Sequence, residues 1–75
     1  TSRGYLFPNP ATDIVYVRKE LTGNETYRLT GLDGRTVSYG PFDGSLLLEH
    51  VASGMYFLNI ENTAGTETYS VIVAK

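Results

Sequence analysis

The chain has one histidine, His50, and no cysteine. Any nucleophilic or metal chemistry must therefore start from that imidazole, the serines and the acids. Ser45 and Ser53 lie near His50 in sequence, on either side of a strand end, without the glycine-flanked elbow that presents a nucleophilic hydroxyl. His50 reads instead as a solvent-facing loop residue. Asp33 and Asp43 each precede a glycine, which is turn chemistry, and no D-x-D-x-D-G ladder is present to hold calcium. Asn24-Glu25-Thr26 matches a glycosylation sequon, but it falls in a Gly-Asn turn where these residue types serve the backbone. The reading is a protein that is not an enzyme, with no metal and no cofactor.

Charge excludes further classes. Six basic and eight acidic residues give a net charge of −2, and they are scattered, with the mixed run Arg18-Lys19-Glu20 the longest. No basic stripe exists to neutralise phosphates, so nucleic acid is not an expected partner. No apolar run approaches the roughly 20 residues of a membrane span. Thr1-Ser2-Arg3-Gly4 has no long apolar segment behind it, as expected of a domain excised from a longer protein. The 75 residues suit one domain, 1–75, whose folding hides about 60–65% of the extended chain's surface. Without disulfides, stability must come from core packing and turn chemistry.

The elements that must supply that core are strands. Turn residues recur every 8–12 positions, the spacing of an all-β sandwich, and no stretch keeps a helical period free of Gly, Pro or branched runs. Tyr5-Leu6-Phe7 leads and stops at Pro8-Asn9-Pro10, an edge or a crossing between sheets. Asp13–Val17 follows, apolar on both faces like a central strand covered on both sides. After the Leu21-Thr22-Gly23-Asn24 turn, Thr26–Thr30 alternates with Tyr27 and Leu29 inward and Arg28 outward. Asp33-Gly34 marks a hairpin, with Val37 and Tyr39 inward on the next strand. Gly40-Pro41-Phe42-Asp43-Gly44 is a longer connection. Ser45–Glu49 then places Leu46 and Leu48 inward and Leu47 outward, and Val51 caps the core after a bend.

The last third is the most regular part. Gly54–Ile60 alternates Tyr56, Leu58 and Ile60 inward with Met55, Phe57 and Asn59 outward, and Asn62-Thr63-Ala64-Gly65 turns the chain. Tyr69–Lys75 alternates Tyr69, Val71 and Val73 with Ser70, Ile72 and Ala74. A strand this apolar has to be paired inside a sheet. The expected fold is all-β, a seven-stranded antiparallel immunoglobulin-like β-sandwich without the disulfide or tryptophan of that class. Most of the nine aromatic rings sit at inward parity and read as core. Leu47, Met55, Phe57 and Ile72, all outward, form a candidate docking face if strand order brings them together.

These blocks carry a resemblance. Phe7-Pro8-Asn9-Pro10-Ala11-Thr12-Asp13 resembles the opening of the C-terminal sorting domain of the type IX secretion system. Leu32-Asp33-Gly34-Arg35-Thr36-Val37 is similar to that family's hairpin. Leu46-Leu47-Leu48 to Val51 with Gly54-Met55-Tyr56-Phe57-Leu58 resembles its Gly-x-Tyr block, and Tyr69–Lys75 its basic-ended terminal strand. The likeness runs from Phe7 to Lys75 in the family's order. Gly31, Glu49, and Ser70 or Thr68 ahead of the last strand depart from common family residues.

The resemblance implies a non-catalytic secretion signal on an attached cargo protein upstream. Its implied partners are the type IX translocation machinery, an outer-membrane shuttle protein and a sortase that cuts N-terminal to the folded domain, near the leading segment 1–6. The cargo would pass through the periplasm and end secreted or at the cell surface. The signal residues it implies are Pro8, Asn9, Pro10, Gly34, Gly54, Tyr56, Tyr69, Val71, Val73 and Lys75. An immunoglobulin-like adhesion or carbohydrate-binding module is the alternative.

Overall fold

The computed structural model describes residues 5–19, 21 and 23–75. The leading residues 1–4, Glu20 of the mixed-charge run and Thr22 of the first turn lie outside the described residues. Among the described residues there are seven strands and no helix: β1 (Tyr5–Phe7), β2 (Ile14–Arg18), β3 (Thr26–Gly31), β4 (Thr36–Pro41), β5 (Ser45–Leu47), β6 (Gly54–Asn62) and β7 (Gly65–Val73). They form two antiparallel sheets, one ordered β1-β2-β5 and the other β4-β3-β6-β7. The expected β-sandwich is the fold.

Alternation along the strands builds the core, on edge strands as well as central ones. Leu29 on β3, Leu58 and Ile60 on β6, and Tyr69, Val71 and Val73 on β7 are buried. Val15 and Val17 on β2 and Leu46 on β5 face them from the other sheet, and Leu48 and Val51 close the end. The β6–β7 hairpin is longer than the two apolar runs suggested: β6 reaches Asn62, β7 starts at Gly65 and its pairing ends at Val73. Asn62 makes the tight turn possible by accepting the Ala64 amide through Oδ1, at 2.8 Å.

Three expectations fail. Val37 and Tyr39 point outward, 44% and 76% exposed. The β3–β4 register shifts between Leu29 and Thr30, so that Ser38 opposes Leu29 and Tyr39 opposes Arg28. A one-residue slip moves every side chain to the other face. The space inside β4 is filled by the Tyr27 ring, 3.5 Å from where a Cβ on Gly40 would stand. Its hydroxyl shares a 2.6 Å hydrogen bond with Ser38 Oγ. Phe42, expected in a connection, is buried edge-on against that ring, with centroids 6.3 Å apart.

Second, β2 is central in its sheet but covered on one side: Tyr16 is 42% exposed. Third, the aromatics are not mostly core. Tyr5, Phe7, Tyr16 and Tyr39 are all exposed. The first three form a ladder on the outer face of the smaller sheet, with Phe7 5.7 Å from Tyr5 and 5.5 Å from Tyr16, so each ring shelters its neighbour.

Glu25 is the one buried acid among the described residues. Its Oε1 accepts the Gly23 amide at 3.0 Å and its Oε2 accepts Asn62 Nδ2 at 3.1 Å. A carboxylate is tolerated inside only when hydrogen-bonded, and here it ties the β2–β3 connection to the far end of β6. Nearby, Lys19 pairs with Glu67 at 3.2 Å, and the Tyr69 hydroxyl donates to the same carboxylate.

Candidate recognition surface

The antiparallel order of β3, β6 and β7 puts the last residues of β3, the first of β6 and the last of β7 at one end of the larger sheet. Gly31 opposes Tyr56, Tyr56 opposes Val71, and Gly54 opposes Val73. The hairpin containing Gly34 therefore stands at the same end as Gly54, Tyr56 and Lys75. Gly34 has φ +84°, a geometry that favours glycine, and Asp33 Oδ1 supports the turn by accepting the Arg35 amide at 3.1 Å. The accompanying Asp33–Arg35 ion pair is exposed on both sides and adds little.

The Gly-x-Tyr spacing has a packing cause. Gly54 has φ +155°, and a Cβ there would lie 3.7 Å from the Tyr56 ring, which folds back over it. The Tyr56 hydroxyl donates to Ala52 O at 2.7 Å. Lys75 grips the same 48–53 loop: its Nζ donates to Leu48 O at 2.6 Å and to Glu49 O at 3.3 Å, and its amide donates to Ser53 Oγ at 3.0 Å. Ser53, considered above as a nucleophile, is thus an acceptor for the terminal backbone, and His50 is exposed in the same loop. Tyr56→Phe keeps the ring and removes the loop bond. It is expected to cost about 0.5–1.5 kcal/mol, read as a melting temperature lowered by several degrees. An unchanged melt would mean water replaces the phenol.

Met55 and Ile72 are directly opposed on the outer face of the larger sheet, 43% and 44% exposed. Phe57 shares that face but is half-buried beside Ser70 and Thr30. Leu47 is exposed on the outer face of the smaller sheet, opposite Ile14. The four outward residues therefore divide between the two outer faces of the sandwich. Leu32, 68% exposed in the β3–β4 hairpin, joins the Met55 end. Below this apolar end the face turns polar, where Thr68 Oγ1 donates to Asn59 Oδ1 at 2.8 Å and Asn59 Nδ2 to Arg28 O at 3.3 Å.

Pro8, Asn9 and Pro10 lie against the outer edge of β7. The Asn9 side chain bonds the β7 backbone, and Ala11 forms a parallel bridge to Val73. Ala11, fully buried, was not picked out from the sequence; its only local signal is its place after Pro10. An open groove of about 540 Å³ brings Asn9 together with Tyr5, Phe57, Tyr69 and Ser70. A second hollow of about 370 Å³ lies at the other end of the sheet, between Arg28, Tyr39, Pro41 and Glu61. The outward-facing Tyr39 lines it, and alternation along β4, which places that ring inward, does not predict it.

Chemically this end offers shape, apolar contact and hydrogen bonds. Among the described residues, no group of three or more His, Asp or Glu side chains could hold a metal ion, and no helix is long and apolar enough to cross a membrane. The family model described as the secretion system C-terminal sorting domain matches residues 5–74. A comparison with curated proteins finds no match.

Proposed function

Because the chain belongs to the family of type IX secretion C-terminal sorting domains, we propose that it is a non-catalytic export label read at the Gly54–Lys75 end of its larger sheet. Membership implies that the protein carrying the domain is secreted or displayed at the cell surface. On the finer reading, the translocation machinery and an outer-membrane shuttle protein engage the folded domain after its cargo has reached the periplasm. A sortase then cuts near or before the leading segment 1–6 and attaches the cargo to the cell surface.

The observation that carries this reading is the extent of the match, residues 5–74, which takes in every strand of the sandwich. Geometry adds a division of labour. Gly34, Gly54, Tyr56, Tyr69, Val71, Val73 and Lys75 fix backbone or core, while Met55 and Ile72, with Phe57 behind them, are presented outward. A folded label avoids the ordering entropy an unfolded tail would lose on binding.

The test is a reporter fused to residues 1–75 in a host with the secretion machinery, carrying Met55→Ser with Ile72→Thr. Both residues are nearly half exposed, so the melt should move by only a few degrees. Export should fall at least about tenfold, the loss of some 1.4 kcal/mol of contact. Undiminished export of the double variant would remove this face from the reading. Phe57 is left intact because its partial burial would mix folding with recognition.

The aromatic ladder Tyr5-Phe7-Tyr16 is the observation that favours the second reading, a glycan-binding module. Exposed rings in a row are the surface on which sugars stack, and this ladder runs along the smaller sheet, with Tyr5 at its end also lining the groove beside Phe57.

A further inference from the structure

Of the three residues of β1, only Leu6 packs against the core. Tyr5 and Phe7 are turned out and exposed, and Tyr16, which opposes Phe7 on β2, is exposed as well. Rings left in water add little to folding, so core packing does not account for them. The Phe7 and Tyr16 planes are 25° apart, with centroids at 5.5 Å. Near-parallel rings at that spacing are offset, not eclipsed, and part of each face stays open. Tyr5 extends the row from Phe7, tilted by 38°.

The row ends in the open groove of about 540 Å³, where Tyr5 meets Asn9, Phe57, Thr68 and Ser70. Among the described residues that line this groove, none is charged. Beside the row stand Arg18, opposite Tyr5, and Ser45, opposite Tyr16. Open ring faces flanked by hydroxyl, carboxamide and guanidinium groups suit one ligand chemistry. It is a ring with an apolar C–H face and a rim of hydroxyls, each able to donate and accept. A polyanion would need a basic cluster, and among the described residues this face supplies Arg18 alone. A peptide strand would need an open backbone edge, and the Asn9 and Ala11 bonds close that of β7.

We propose that the Tyr5-Phe7-Tyr16 row and the groove beside it are one binding site for an extended, neutral oligosaccharide. Successive sugar rings lie on the open faces of the row. The chain then passes Tyr5 into the groove, where its hydroxyls meet Thr68 and Ser70. This rests on the glycan reading of the ladder and adds to it the groove, the direction of the chain and the neutrality of the ligand. The site uses neither Met55 nor Ile72, so an export label can carry it without giving up its recognition face.

The test is a chemical-shift titration of the 75-residue chain with maltohexaose, cellohexaose, mannohexaose and chitohexaose. At least one should bind saturably, with a Kd on the order of 1 mM or tighter, and should move the Phe7, Tyr16 and Ser70 signals together. The corresponding monosaccharide should bind at least about tenfold more weakly, since it reaches one ring instead of the row. Tyr16→Ala should weaken binding at least about fivefold through loss of a ring anchor. Ser70→Lys, which fills the groove from an exposed position, should weaken it comparably, and Tyr39→Ala, at the other end of the larger sheet, should not. Should Tyr16→Ala fail to fold, Tyr5→Ala carries the same arm. No binding by any of the four sugars overturns the site and the glycan reading together. Weakening by Tyr16→Ala but not by Ser70→Lys leaves sugar on the rings and overturns the joined site. Equal weakening by Tyr39→Ala, or shifts with dodecylphosphocholine micelles and none with the sugars, overturns the proposal as well. Neither result bears on export, which the Met55 and Ile72 variants test.

Discussion

Leu58→Ala is expected to lower the melting temperature by roughly 10–30 °C and to leave a large unfolded fraction at physiological temperature. Leu58 is fully buried in the middle of β6, with Leu29 and Tyr69 beside it on the inner face. Truncating a buried leucine costs about 2–5 kcal/mol, the spread reflecting how far the site can collapse. A chain of this length has only about 4–11 kcal/mol in total, and each kcal/mol is worth some 4–8 °C in a domain this small. Met55→Ala, three positions earlier on the same strand, removes a similar volume from the outer face and is expected to cost under about 1 kcal/mol. Thermal unfolding followed by circular dichroism checks both. Equal shifts would mean that the inner and outer faces of β6 have been assigned wrongly.

That contrast was legible in the sequence because β6 and β7 alternate without interruption and their turn is short. The same logic misplaced β4. Val37 and Tyr39 occupy alternate positions just as Leu58 and Ile60 do, and only the bulge opposite Leu29 turns them outward. Nothing in Thr36–Pro41 announces a bulge. Phe42 was hidden for a related reason: Gly-Pro before it and Asp-Gly after it spell a connection, yet the ring enters the core that Ser38 and Gly40 are too small to fill. In β2, four consecutive apolar residues carry no period, so nothing local marks Tyr16 as the outward one, and the ring that shelters it, Phe7, comes from another strand. The end that gathers Gly54, Tyr56 and Lys75 was visible as separate blocks, but its closure was not. Asn9 meets Ile72 across 63 positions and Lys75 meets Leu48 across 27, separations over which local patterning carries no information.

Deleting Val71–Lys75 is expected to abolish the fold as well as export, and this changes how such a truncation should be interpreted. The deletion removes Val71 and Val73, 0% and 2% exposed, at about 1.5–3 kcal/mol of burial each. It also strips β6 of its partner opposite Gly54, Met55 and Tyr56, removes the bridge to Ala11, and frees the 48–53 loop from Lys75. The sum is comparable with the whole stability of the domain, so the truncated chain should lose its β-sheet circular dichroism and become sensitive to protease. Lost export would then follow from unfolding, whether or not β7 is read. Lys75→Ala separates the two. It leaves both valines and all of the β6–β7 pairing, and the charge-assisted bonds it removes lie at the surface end of the strand, so the melt should fall by only a few degrees. A truncated chain that kept the intact melt would show that β7 is not part of the cooperative core, and the placement of the recognition surface on a rigid sheet would fall with it. If instead the truncation unfolds and Lys75→Ala stays folded, any export defect in the point variant belongs to the ammonium group and the loop it holds, and the label is read at its surface.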